Sequence, residues 1–358
     1  LMPFLPEHMS RLGHSATLVG AILAVRLLSQ QGTMPLTGAL ADRWGCRRSL
    51  LAGLGIRAAG FALLAVATSA LWLAVSALLS GLGGSLIGAA YKAIYTEAPG
   101  RADLPTRFLW LTVADRLGQA IGPLLGAAAG SFAAGARVSV LLFLGVMLAV
   151  WIWLPADRGS PGGPIWTGLL AQVRNRRLVA LVAVLCGYWA LQQQLSVLIP
   201  LAAARQGLSA AVGPLFSLSA LAGLVLLLVL PRNRPQHLWQ RLAVAMALTA
   251  GAMAAPGVLP GLAGIVTATA GLAVAAVLGQ PAIDALAGSL APAGALASAY
   301  GFVALSFGLG GAAGQVLGGW LWSRWGDAAW FCFAGLGFLT LAALQLVRKG
   351  VDLHARGS

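Results

Sequence analysis

The sequence predicts an all-α membrane protein that crosses the bilayer many times, and three observations predict it. The 358 residues are 59% hydrophobic and only 9% charged, with a mean hydropathy of +0.86, whereas a soluble domain carries about 25% charged residues. Apolar runs recur along the whole chain, and a helix needs roughly 20 apolar residues to cross a bilayer. The 47 glycines suit helices that pack backbone to backbone in lipid. Together these exclude a soluble enzyme, a DNA-binding protein and a secreted scaffold. Cys46, Cys186 and Cys332 are widely spaced and match neither a disulfide framework nor a zinc pattern.

Taken in order, the apolar runs predict helices over residues 16–38, 49–67, 69–91, 105–130, 138–154, 178–202, 210–230, 241–255, 261–285, 297–319 and 328–347. Residues 1–11 are apolar but too short to cross. An internal repeat accounts for them. Phe4-Leu5-Pro6 with Arg11, Gly13 and Ser15 lines up with Leu198-Ile199-Pro200 and Arg205, Gly207 and Ser209 at a constant offset of 194. Leu117-Gly118 with Gly122 and Gly126 matches Leu309-Gly310 with Gly314 and Gly318 at an offset of 192. Two parallel copies of six helices follow. The second copy begins near Leu178, and 178 − 194 = −16, so on this register helix 1 is expected to be truncated, with residues 1–9 as its outer end. The expected organisation is twelve transmembrane helices: an N-terminal six-helix bundle over 1–154, a cytoplasmic linker over 155–177, and a C-terminal six-helix bundle over 178–358.

Basic residues set the expected orientation. Connections on one side hold sixteen: Arg43, Arg47, Arg48, Lys92, Arg101, Arg107, Arg158, Arg174, Arg176, Arg177, Arg232, Arg234, Arg241, Arg348, Lys349 and Arg356. The other side holds four: Arg11, Arg137, Arg205 and Arg324. The positive-inside rule then predicts a multi-pass protein of the cell inner (cytoplasmic) membrane with a cytoplasmic C-terminus. The formal net charge of +14 reads as this topology signal and not as a nucleic-acid patch.

Between predicted helices 2 and 3 lies Gly38-Ala39-Leu40-Ala41-Asp42-Arg43-Trp44-Gly45-Cys46-Arg47-Arg48. Glycines permit a tight turn there, Asp42 can face the positive end of a neighbouring helix, and the arginines can anchor at anionic headgroups. This stretch resembles the signature of the major facilitator superfamily, G-x-L-A-D-R-x-G-R-R/K, with Cys46 in place of the first basic residue after the glycine. Arg26 with Gln30-Gln31-Gly32, Arg57-Ala58-Ala59-Gly60-Phe61, Ser80-Gly81-Leu82-Gly83-Gly84 and the segment 315–320 are similar to the MdtH-type multidrug exporters and the related siderophore exporters of that superfamily. The resemblance implies a major facilitator fold and proton-driven antiport. Gly118, Gly122, Pro123 and Gly126 in helix 5 resemble the motif associated with antiporters; physically, the glycines admit a close neighbour and Pro123 bends the helix.

Ionisable residues inside the spans are functional candidates, because a charge there costs roughly 2.5 to 3.5 kcal/mol or more. They are Arg26, Arg57, Asp115, Arg116 and Asp284. Asp115 shares a helix face with Gln119 and can carry a proton into a cavity, or stand in a fixed ion pair with Arg57 or with groups near Arg116. Asp284, near the inner end of helix 10, is either a coupling group or a solvated cap. Glu7, beside His8, is either an outer gate and proton relay or an exposed helix end. Arg26 and Gln30 share a face, and Arg26 can bind an anionic substrate or balance a carboxylate, with snorkelling to the headgroups as the other reading. Tyr188, Gln192 and Ser196 recur every four residues along helix 7 and suit an amphiphilic ligand, with interhelical hydrogen bonding as the other reading.

No nucleotide-binding loop, metal cluster or nucleophile–base pair is present in the sequence, so neither a cofactor nor an enzymatic activity is expected. The expected partners are a small-molecule substrate, protons and membrane lipid, with no nucleic acid, and the chain reads as a monomer. The function expected is export of a small amphiphilic molecule, drug or siderophore-like, by proton antiport with alternating access. Uptake or facilitated passage of an organic anion, bound by Arg26, is the alternative.

Overall fold

A computed structural model describes residues 2–97, 104–155, 173–229, 238–259, 261–290 and 296–356. The predicted 155–177 linker lies mostly outside them. The described residues form fourteen α-helices: α1 (Leu5–Arg11), α2 (Ala16–Leu27), α3 (Met34–Trp44), α4 (Cys46–Leu64), α5 (Ala70–Glu97), α6 (Leu104–Ala128), α7 (Phe132–Trp153), α8 (Arg176–Gln192), α9 (Leu198–Arg205), α10 (Ser209–Val229), α11 (Leu238–Val258), α12 (Leu262–Leu290), α13 (Leu296–Trp325) and α14 (Ala329–Arg356). Seven stretches are long and apolar enough to cross a membrane, and the last, Phe302–Lys349, holds α13 and α14 together. The segments α2–α3, α4 and α6 fall outside these stretches and carry Arg26, Arg57, Asp115 and Arg116.

Two predicted spans are broken helices. In the first, a π turn over Leu28–Gly32 joins α2 to α3, and Pro35 stands in the first turn of α3. Proline has no N–H to give to the preceding turn. Hydroxyl groups around the turn bond to nearby backbone carbonyls. Thr33 Oγ1 donates to Ser29 O and Ser29 Oγ to Val25 O, each at 2.6 Å, as buried backbone in lipid requires. In the second, a 3-10 turn over Gln193–Ser196 joins α8 to α9. The signature stretch is also more helical than its glycines suggest. Gly38 to Arg43 lie in α3 and Cys46 to Arg48 in α4, so the reversal rests on Gly45 alone, at φ 91, a backbone conformation costly to a residue with a Cβ.

The repeat is visible in the backbone. Subtracting 194 carries Leu198–Arg205 to residues 4–11, against Leu5–Arg11 observed. Gly13 (φ 84) and Gly207 (φ 70), also 194 apart, both stop their helix in the left-handed region. Gly130 (φ 74) and Gly326 (φ 56) repeat the device at an offset of 196.

Small residues set the packing. Along α13, Cβ atoms built at Gly310, Gly314 and Gly318 would run into Cys186, Ala190 and Gln194, three positions one turn apart on the α8 side. On a second face of α13, Gly319 meets Ala16 of α2, and Gly20 of α2 meets Gln315. Within the first repeat, α4 and α5 close to the point where Ser76 Oγ donates to Gly60 O at 2.8 Å. The main contacts between the first and second repeats are α2 and its π turn with α13, α6 with α10, and α1 with α9. At the end of the molecule that holds Glu7, Leu5, Met9, Val19 and Ile22 share one apolar cluster with Val197 and Leu201, and the Thr17 N–H donates to Ser323 Oγ at 3.1 Å. At the signature end, α3 packs on α4 and α5 of its own repeat.

Gly314→Val should destabilise the protein by about 1–3 kcal/mol, the usual cost of overpacking, because its Cβ would meet Ala190 backbone. Gly145→Val, with nothing within 4 Å of its Cβ position, should leave stability unchanged. Thermal unfolding of the two detergent-solubilised variants checks the contrast.

Candidate transport site

The polar centre of the first repeat is assembled by the glycines of α5. A Cβ at Gly83 would lie 2.6 Å from both Arg57 N and Gly53 O, and one at Gly81 would lie 2.5 Å from Arg26 O. Helices α2 and α4 can therefore approach α5 closely, and their arginines converge. Arg26 Nη2 donates to Gln30 Oε1 at 3.4 Å, so these two share a face as their spacing predicts. Arg57 lies 5.4 Å from the centroid of the Phe143 ring. The Cβ position of Gly84 is 3.0 Å from Arg57 Nη1 and 3.1 Å from the Gln30 amide carbon, so those groups are roughly 6 Å or less apart. The Nε atoms of both arginines are buried, and among the described residues neither has a hydrogen-bond partner.

Asp115 of α6 is exposed, and Arg116 and Tyr91 are in electrostatic reach of it. Arg116 Nη1 donates to Gln119 Oε1 at 3.3 Å and lies 4.0 Å from the Cβ position of Gly223 on α10. Gln119 is thus tied to Arg116, a residue on the seam between α6 and α10 that its own spacing did not single out. Gly118 and Gly122 have nothing within 4 Å. Their repeat mates Gly310 and Gly314 pack on Cys186 and Ala190. Pro123 lies inside α6. Gly126 lines a cavity of about 710 Å³ with Phe4, Glu7 and His8.

Tyr188, Gln192 and Ser196 depart from the expected substrate-facing stripe. Tyr188 is fully buried and donates to Ala275 O of α12 at 3.1 Å. Gln192 Nε2 donates to Tyr188 Oη and to Thr249 Oγ1 of α11, each at 3.1 Å. Both side chains are occupied between helices, the alternative reading of the stripe. Ser196 is the last residue of the 3-10 turn, whose three residues per turn rotate it off the four-residue register. Sequence spacing also passed over Gln194, fully buried, whose Nε2 donates to Ala190 O and, at 2.9 Å, to Gly314 O of α13.

The remaining candidates lie apart. Glu7 is paired with Arg11 one turn on, at the end of α1. Asp284 is exposed, six residues from the end of α12, and accepts from Gln280 Nε2 at 3.0 Å. The Asp42 side chain lies outside the described ones. Arg43 and Arg48 are exposed, and Arg47 donates to Trp151 O, which ties the start of α4 to the end of α7. Gln192→Leu should cost about 0.6 kcal/mol and at most about 1.7 kcal/mol, the range of interhelical hydrogen bonds in membranes, without changing substrate KM. Equilibrium unfolding in mixed micelles together with vesicle transport measures both.

The chain matches the family model described as Major Facilitator Superfamily over residues 1–305. It is 32% identical over 349 residues to multidrug resistance protein MdtH of Yersinia enterocolitica, covering 93% of this chain and 86% of that protein. It is 31% identical over 356 residues to MdtH of Proteus mirabilis, covering 96% and 89%. Among solved structures, the nucleoside transporter NupG superposes with a TM-score of 0.81 at 16% identity, covering 97% of this chain and 95% of that one. The glycine-ridged all-α packing, the signature stretch and these matches agree, and the chain belongs to the Major Facilitator Superfamily.

Proposed function

We propose that this membrane transporter exports a small amphiphilic molecule, of the drug or siderophore type, in exchange for protons. The observation that carries the reading is Asp115, an exposed carboxylate eleven residues into the 25-residue α6. At 1.5 Å per residue that is roughly 16 Å, about half the hydrocarbon thickness. A carboxylate at that depth is costly when ionised. Arg116 lies within electrostatic reach of it, so proton binding at Asp115 changes the electrostatics of the α6–α10 seam. The multidrug resistance relatives support a drug-like cargo.

Alternating access places the cargo site between the repeats. The distribution of basic residues favours a cytoplasmic signature end and C-terminus in the inner membrane. On that orientation the contacts between Leu5, Met9, Val197 and Leu201 join the two repeats at the outer end. Cargo, protons and lipid are then the partners of a monomer. Uptake of an organic anion is the second reading, favoured by Arg26 and Arg57 standing together; counterflow in inverted vesicles separates the directions.

Asp115→Asn should abolish cargo-induced proton movement in proteoliposomes loaded with pyranine, while Asp284→Asn leaves it largely intact. Normal proton exchange by the Asp115→Asn protein would remove Asp115 from the coupling step.

A further inference from the structure

Arg57 plays no part in the export reading, yet it stands in a polar cluster with Arg26 and Gln30. We infer that Arg26 and Arg57 together bind the anionic end of an amphiphilic ligand, a carboxylate, sulfonate or phosphate monoester on an apolar body. The inference rests on the transport reading above and names the chemistry of its cargo.

Two like charges held close at low dielectric repel each other, and burying them is costly unless they are paired. Among the described residues neither arginine is in an ion pair: the pairs are Glu7 with Arg11 and Arg205 with Asp327. Gln30 takes one Nη of Arg26 and supplies only a neutral carbonyl. Both buried Nε atoms remain unpartnered, and an Nε–Nη edge is the fork that takes a carboxylate or phosphate through two parallel hydrogen bonds. A single anion between the two guanidiniums would satisfy both edges and cancel their repulsion.

The surroundings suit a small anion. Gly84 has no side chain, and a Cβ there would stand 3.0 Å from Arg57 Nη1 and 3.1 Å from the Gln30 amide carbon, so its absence lets those two groups approach each other. Phe143 supplies an apolar wall on the other side of Arg57. Both arginines keep partial exposure, so the cluster can be reached. Arg26 lies ten residues into α2, roughly 15 Å along its axis and far from the headgroup layer. That depth favours a ligand arriving through the transport path over a resident lipid headgroup.

The test uses the full chain in phosphatidylcholine nanodiscs with three dansyl probes of similar size: dansylglycine, its neutral primary amide, and cationic dansylcadaverine. Equilibrium fluorescence titration should give dansylglycine about tenfold tighter binding than the amide, with dansylcadaverine weakest. Arg26→Gln and Arg57→Gln should each reduce that preference to roughly twofold or less. If either protein fails to purify, Arg26→Lys and Arg57→Lys, which keep the charge and lose the fork, should retain a weakened preference; an unweakened one would overturn the paired-fork site. Equal affinity for the three probes in the unmutated protein, or a full preference surviving in the double glutamine variant, would also overturn it. Repeating the titration in nanodiscs containing phosphatidylglycerol distinguishes the source of the anion. Loss of the dansylglycine preference there would overturn the assignment to cargo in favour of a lipid headgroup, and its persistence supports cargo. No proton gradient enters these measurements, so their failure leaves the coupling role of Asp115 standing, and failure of that role leaves this site standing.

Discussion

Close backbone approach between helices is the constraint on which the rest of this structure depends. Inside a bilayer the lipid tails are as apolar as leucine, so helices gain little by hiding apolar side chains from them and associate instead through van der Waals contact and interhelical hydrogen bonds. Helix α13 shows the consequence. Gly310, Gly314 and Gly318 admit α8 on one face, while Gly319 meets α2 of the other repeat. One helix thereby couples the core of its own repeat to the partner repeat, and side chains on either contact would push the two apart.

The same constraint governs the polar groups. Where helices touch backbone to backbone, the side chains at the seam have few places to go, and the polar ones must find partners there. In the second repeat Tyr188, Gln192 and Thr249 form a connected network across α8, α11 and α12. In the first repeat the glycines of α5 draw α2 and α4 together, and the charged ends of Arg26 and Arg57 converge with no ion pair to either among the described residues. Two repeats of one architecture thus hold different chemistry, an interhelical hydrogen-bond network in one and a cationic cluster in the other.

The titratable chemistry of α6 belongs to a third environment. Asp115, Arg116 and Gln119 lie along a helix whose partner in the other repeat is α10, and Arg116 reaches the Gly223 position on that partner. On the proposed export reading, a proton at Asp115 would alter the charge beside a seam between repeats, where a change in protonation can bias the relative position of the two. Glu7 and Asp284 lack this placement: one is paired within α1, and the other sits near the end of α12.

By itself the sequence determined the order of the helices, the repeat and the family. These follow from apolar run length, from a constant offset and from a local signature, each carried by neighbouring residues. It also marked Arg26 with Gln30, whose four-residue spacing survives because α2 continues to Leu27 and the π turn does not separate them. Only the tertiary structure decided which polar residues are spent and which are unpaired. Tyr188 and Gln192 read as a ligand-facing stripe until α11 and α12 supplied their partners. Arg57 read as a candidate ion-pair partner of Asp115, and the tertiary structure brought it beside Gln30 through Gly83 and Gly84. Spacing along a helix says which side chains share a face, but what that face meets depends on helices distant in the chain, and the missing side chains of glycines set how near those helices come.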